Sequence, residues 1–569
     1  MLIAPRRVRR RAVIVVVVLV LVALVTGFFP CELADFDLPD LDHTLFDLPV
    51  SIAPEDPAAD WSNHPVMLLH AQAQAKFEAL IKRQSKSPQE AEDEYVRRYG
   101  RNPPPGFRQW VQYALVYKSP IIDDFDTLSD SVHRFHHLTA AEIARRVREA
   151  GQGKIVNFHG AHHDRIGRCV FANQKFSKGC RHFADPLTEM LGDARKLAPN
   201  VEFLLNFLDE PSVLGSSPPQ GGKRPSASWT DLSQQPIASR VAEACRIRGN
   251  STTKIAIADI PIHTYGLPFV QDVEGSKDLC QHPELASSHG FLMGPTTFRQ
   301  MRTELPLLSQ AAPHPFSDIL YPSTHYGLKT SLYKQIKDRS WSRKKNAVYW
   351  AGSSTGGVWT PTTWRHGHRQ RLATLGLQHN NNAFTYLHTS PNIPFLTTIN
   401  TTNPLPPSLF AITLTKIVNS ATPAVHAAQE SFFHPPHSPD PDNRALRYRL
   451  ALDIDGNSYS GRFYRLLASR SAPLKMTVFR EWHDDRLVPW LHYFPVSAGM
   501  EELPELVRFL TSTDEGRRIA EGVARAGRAW YHRALGEREQ GVYLYRVMVE
   551  MAWLRDGGRK AVTVPGVAG

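Results

Sequence analysis

Leu452 to Lys475 reads LDIDGNSYSGRFYRLLASRSAPLK, and after a charged turn the chain continues as PWLHYFPV from Pro489 to Val496. Asp455-Gly456-Asn457 is a turn signal. Behind it come two hydroxyls (Ser458, Ser460), a second glycine and the cation Arg462, just ahead of Phe463, Leu466 and Leu467, whose spacing predicts a helix. A helix start with N–H groups, hydroxyls and an arginine is the local chemistry that holds a diphosphate. The same residues also fit an ordinary capped helix after a tight turn, so the surrounding chain has to decide.

Upstream, short apolar runs alternate with helical stretches, a pattern that predicts parallel α/β layers. Strands are expected at Lys154–Phe158, Val201–Phe207, Lys254–Ile260, Asp318–Tyr321 and Ala347–Trp350. Helices are expected over His70–Ser85 and Ala140–Ala150, with the PPPG turn of Pro103–Gly106 between them, and again over Glu501–Arg518 and Ala520–Glu550. The basic segment Lys334–Asn346 divides two halves. Gly215–Gln235 and Asn380–Asp442 are rich in Ser, Pro, Asn and His and read as insertions, disordered segments or acceptor-binding elements.

The chain has 569 residues, too many for one core, and its 42% hydrophobic and 21% charged residues fit a folded enzyme rather than a fibrous or disordered chain. The formal charge of +11 points to an anionic ligand or an acidic surface, although Arg6, Arg7, Arg9, Arg10 and Arg11 concentrate part of it at the start. No nucleic-acid partner is expected. Behind those arginines an apolar run from Ala12 to Phe29 would span roughly 27 Å as a helix, enough for a thin bilayer. The positive-inside rule then leaves the N-terminus in the cytosol and the rest in the lumen of the Golgi or ER, a type II topology. Residues 30–60 are acidic and proline-rich, and read as a stem. Five cysteines suit an oxidising compartment, with Cys169–Cys180 and Cys245–Cys280 as candidate disulfides and Cys31 left over. Asn250 and Asn400 head glycosylation sequons.

Eight blocks in order carry a resemblance. They are YVRRYGRNPPPGFRQW (Tyr95–Trp110), IIDDFD (Ile121–Asp126), NFLDEP (Asn206–Pro211), CQHPE (Cys280–Glu284), HGFLMGP (His289–Pro295), FSDILYP (Phe316–Pro322), YWAGSSTGG (Tyr349–Gly357) and the opening stretch. Together they resemble the glycosyltransferase family 90 domain, the type shared by capsule-associated, fungal xylosyltransferase-like proteins and animal protein O-glucosyltransferases. That resemblance implies a GT-B-like α/β fold, two Rossmann-like domains facing a cleft, behind the N-terminal transmembrane helix. The expected division is a tail (1–11), an anchor (12–29), a stem (30–60), a helical extension (61–150), an acceptor and catalytic-base domain (151–333), a nucleotide-sugar domain (334–520) and C-terminal helices and tail (521–569). The implied activity is inverting, metal-independent transfer of xylose or glucose from a UDP-sugar to a hydroxyl of a glycan or glycoprotein, with no cofactor beyond the donor.

The apolar run Val201–Leu208 ends at Asp209-Glu210-Pro211, and ligands of open α/β sheets bind beyond the strand ends. By resemblance to the N-x-x-D-x-P motif, Asp209 is the expected general base, with Glu210 in reserve. The donor diphosphate is assigned, also by resemblance, to Ser353, Arg369, Ser460 and Arg462. Many relatives carry Arg where this chain has Ala351, which motivates a second reading as a non-catalytic lumenal binding or scaffold subunit. Two further patterns compete. Asp453-Ile454-Asp455 matches the Asp-x-Asp by which another glycosyltransferase fold holds Mn²⁺, but no metal site is expected. Gly352–Gly356 fits Gly-x-Ser-x-Gly, with Ser354 as a hydrolase nucleophile and Asp453 and His492 following, yet the upstream oxyanion-hole motif is missing. The clusters His133-His136-His137 and His162-His163-Asp164 lack ligand partners at diagnostic offsets, and Trp490, His492 and Tyr493 fit either a cleft wall or a core.

Overall fold

The computed structural model describes residues 60–151, 158–163, 186–215, 227–248, 261–327, 332–378, 384–390, 393–401, 406–437, 440–441 and 443–561. The expected anchor, nearly all of the stem, Cys169–Cys180, the Asn250 sequon and the strand Lys254–Ile260 lie outside them. Among the described residues no helix is long and apolar enough to cross a membrane.

The N-terminal helices are α1 (Pro65–Lys82), α2 (Pro88–Tyr99), α3 (Phe107–Val116), α4 (Asp126–His133) and α5 (Ala140–Gly151). Four residues explain where two of them start. His64 and Ser87 cap α1 and α2 by accepting from Val66 and Glu90 N–H groups, and a proline occupies the first turn of each. Next come β1 (Phe158–His163), β2 (Val201–Asn206), β5 (Leu307–Ser309) and β6 (Ile319–Leu320), which form one sheet in the order β1-β2-β5-β6. A small β3–β4 pair (Trp229–Asp231 with Arg299–Met301) lies apart from it. β2, β5 and β6 are parallel, whereas β1 runs antiparallel at the edge, a common ending for a mostly parallel sheet.

A second sheet is parallel throughout. It is built from β7 (Lys345–Ser353), β10 (Phe410–Lys416), β11 (Tyr448–Ile454), β12 (Ala472–Met476) and β13 (Phe494–Pro495), in the order β10-β7-β11-β12-β13. β12 is buried at all five residues, as expected for a strand covered on both faces. The chain leaves β7 through α6 (His368–Gln378) for β10 on one side. It leaves β11 through α7 (Phe463–Leu467) for β12 on the other, so the crossovers diverge between β7 and β11. That divergence opens a crevice at the carboxyl ends of these strands.

Asn380–Asp442, expected to be an insertion, a disordered segment or an acceptor-binding element, carries regular structure over its described residues. It holds the hairpin β8–β9 (Phe384–Ser390 with Ile393–Thr401), the edge strand β10, and the helix Pro423–Phe433. Its Ser, Pro and Asn content is concentrated in the connections, while FAITLTK of β10 alternates between buried and exposed positions as an edge strand does. The basic divider ahead of β7 is pinned down: Lys344 Nζ, buried, contacts Asp338 Oδ1 at 2.5 Å and Ser471 Oγ at 3.0 Å.

Three helices close the chain: α8 (Leu503–Ser512), α9 (Asp514–Ala534) and α10 (Glu537–Leu554). α9 buries a stripe at Ile519, Ala520, Val523, Ala524, Gly527 and Trp530, and packs on β12 and α1. α10, buried on almost every face, packs on α3 and β2. Trp110 Nε1 donates to Val542 O at 2.9 Å, and Ser119 Oγ donates to Glu539 at 2.7 Å. The disulfide Cys245–Cys280 forms as expected.

Candidate active site

The turn after β2 is fixed by its neighbours, and this determines which carboxylate it presents. Asn206 accepts from Leu208 N–H at 2.9 Å and donates to the Glu210 carbonyl at 2.8 Å and to Ser309 Oγ at 3.0 Å. Asp318, fully buried, accepts from Ser212 N, Val213 N and Ser309 Oγ at 2.6–3.0 Å, and its burial raises its pKa against those hydrogen bonds. Glu210 is equally committed. Its two oxygens take the N–H and hydroxyl groups of Thr296 and Thr297 at 2.6–3.1 Å, so the reserve candidate is a fixture of the loop. Asp209 alone of these carboxylates is exposed, and its Oδ2 accepts from Asn457 Nδ2 at 3.1 Å.

Asn457 belongs to the opening stretch, so this contact ties the turn of the first sheet to the crevice of the second. A cleft of about 730 Å³ occupies that crevice, lined by the ends of β7, β10 and β11 and by Tyr459–Arg462 and Arg465. Four of its lining side chains are basic (Arg369, Lys416, Arg462, Arg465) against one carboxylate, Asp440, which accepts from the Tyr349 hydroxyl at 2.5 Å. Such a wall attracts anions.

The two expected arginines differ in detail. Arg369 is 5% exposed and spends its guanidinium on Asp455 O (2.6 Å), Ser353 O (3.0 Å), Ile454 O (3.2 Å) and Thr355 Oγ1 (2.6 Å), clamping the ends of β7 and β11 together. Burial and the neighbouring Arg462 push its pKa down to about 9. Arg462 donates to the Ala351 carbonyl at 2.5 Å and lines the cleft. Ser460 also lines it, its hydroxyl bonded to the buried Asp453, whose Oδ2 stands 3.2 Å from Lys475 Nζ. Ser353 does not line the cleft: its carbonyl meets Arg369 and its hydroxyl donates to Thr355 Oγ1.

Glycine is required where the loop after β7 crosses the loop after β11. Gly356 has φ +119°, and a Cβ there would come within 2.5 Å of His368 Cε1. His368 cannot yield. Its Nδ1 accepts from Gly290 N–H at 3.3 Å, so its Nε2–H donates to Asp455 O at 3.0 Å, and its ring stacks on His289 at 4.2 Å. Burial first, then the nearby His289 and Arg369, hold its pKa well below the usual histidine range.

The competing patterns are placed elsewhere. Ser354 is buried and both donates to Val418 O and accepts from Val418 N, at 2.9 and 2.7 Å, while His492 Nδ1 accepts from Val488 N. With Asp453 paired to Lys475, no hydrolase triad assembles from these three. Asp455 accepts from Val478 N at 2.8 Å, so both Asp-x-Asp carboxylates are engaged by protein groups. Trp490, His492 and Tyr493 are core residues; none lines the cleft. His136 is buried, which pushes its pKa down to about 2. Sequence reading missed Asn457 as more than a turn former, and missed Lys416 and Arg465 in the cleft wall, because nothing in local spacing marks them.

A parallel sheet with a cationic cleft at its switch point, and a carboxylate from another sheet bonded to the turn beside it, describe an α/β protein whose cleft suits an anion. Residues 410–556 match the family model Glycosyl transferase family 90, the family that the resemblance implies, and of the eight sequence blocks this stretch contains the last. The matched stretch includes β10 to β13 and carries Asn457, Ser460 and Arg462; Asp209 and the glycine loop precede it.

Proposed function

We propose that this glycosyltransferase moves xylose or glucose from a UDP-sugar to a hydroxyl of a glycan or glycoprotein, with inversion and without a metal ion. In this reading the two sheets are the cores of two Rossmann-like domains in a GT-B arrangement, with the division 151–333 and 334–520. The run 12–29 anchors the protein in a Golgi or ER membrane with its catalytic part lumenal. The supporting observation is the 3.1 Å contact of Asp209 with Asn457, which bonds an exposed carboxylate to the turn that leads into the cleft-lining stretch Tyr459–Arg462.

The acceptor oxygen attacks the anomeric carbon from the face opposite the diphosphate, and Asp209 takes its proton as the new C–O bond forms. The bond to the β-phosphate oxygen breaks, and UDP departs with its charge met by Arg462 and Ser460. A positioned carboxylate contributes roughly 10²- to 10⁴-fold in such a step. Ala351 leaves cationic groups within reach, since Arg462 is held on its own carbonyl and Arg465 and Lys416 line the same wall.

The test is a panel of UDP-sugars assayed for transfer and donor hydrolysis with intact protein and Asp209→Asn. We expect turnover with one donor, a loss of about 10²-fold or more in the variant, and UDP binding retained in both. UDP binding without turnover in the intact protein favours the binding-subunit reading instead.

A further inference from the structure

Asn457 joins three segments that sequence keeps far apart. Its Oδ1 accepts from Gly356 N–H at 3.1 Å, and its Nδ2 donates to Asp209 Oδ2 at 3.1 Å. A main-chain N–H can only donate, so the glycine loop fixes which way the amide faces and turns its NH₂ group toward the carboxylate. Two residues on, Tyr459 repeats the arrangement, with its hydroxyl on Gln310 Oε1 at 2.7 Å and also in contact with Ser323 Oγ, groups just beyond β5 and β6. Residues 457 and 459 thus reach the strand ends of the first sheet, while Ser460 and Arg462 line the cleft.

We infer that Asn457 is a positioning residue for the transfer step, aligning Asp209 with the donor loop through its side-chain amide. The inference rests on the transferase reading above. An exposed aspartate on a turn has several rotamers, and a directed donor favours the one that meets it. Because the same amide is anchored on Gly356, a shift in the loop that receives the diphosphate moves the carboxylate with it. The base and the donor site are therefore placed as one unit.

Asn457→Ala and Asn457→Asp test this in the full chain. We expect kcat to fall about 10- to 100-fold in both, with the donor KM and UDP affinity changing less than about threefold. In Asn457→Asp the acid limb of the kcat profile moves to higher pH, because two adjacent carboxylates resist ionising together. In the Asp209→Asn background, Asn457→Ala costs little more, since the group it positions is gone. Thermal unfolding and UDP titration of each variant confirm that the fold and the cleft persist. If Asn457 only supports the loop, UDP affinity falls, the pH profile is unchanged and the losses add; that result overturns the inference while leaving Asp209 as the base. Full turnover in Asp209→Asn defeats both.

Discussion

Arg369 and Arg462 face the same cleft, yet their partners give them separate roles. Arg369 donates to three main-chain carbonyls, of which Asp455 O keeps His368 as a donor, so Arg369→Ala withdraws the guanidinium from Ser353 O and Ile454 O and costs about 1–3 kcal/mol of stability. Arg462 holds one carbonyl and borders the cavity, so Arg462→Ala is expected to weaken UDP binding about 10- to 100-fold with little change in melting temperature. Calorimetric UDP titration beside thermal unfolding separates the two; equal loss of stability in both variants would defeat the distinction. Arg462 and Ser460, which line the cleft, stood out in the sequence as candidates because they sit at a helix start behind a turn. The clamp made by Arg369 was not, since its acceptors are carbonyls contributed by two distant strands.

Among the elements, the crossing of the two glycine-containing loops tolerates least. Gly356→Ala sets a methyl group 2.5 Å from His368 Cε1 in a backbone region that side chains avoid, and His368 is held by Gly290, Asp455 and the His289 ring. A destabilisation of about 1–3 kcal/mol is expected from the strain, together with weaker UDP binding, measured by denaturant unfolding and titration. Gly522→Ala, on α9 away from the cleft and with no atom within 4 Å of the added carbon, is the control and should bind UDP as before. Strands β2 and β7 were readable from their apolar runs, and α5 from its periodicity. β10 was hidden because its seven residues lie among proline- and serine-rich connections, and strand pairing is decided by partners the local sequence does not contain.

Across the whole molecule, His492 marks the joint between the second sheet and the helices around it. Its ring stacks on Trp530 of α9 at 5.6 Å and meets Phe77 of α1 edge-on at 4.9 Å. Burial pushes its pKa from 6.5 down to about 3, so the unfolded chain takes up a proton that the native state refuses. Its contribution is complete above pH 6.5 and is lost as pH falls from 6.5 toward 3. In that window its share of the slope is about 1.4 kcal/mol per pH unit. Unfolding free energies of His492→Gln should therefore vary less steeply with pH by that amount, and parallel curves for variant and parent would refute the assignment. The α/β class with parallel strands was legible in the alternation of runs, and the reach of the last helices was not. α10 meets α3 through Trp110 and Val542, 432 positions apart in the chain. At about 5–20 residues per second, a ribosome needs roughly 20–90 s to make the second partner after the first. Throughout that interval the apolar face of α3 waits in the nascent polypeptide without its cover, so its protection during synthesis falls to chaperones.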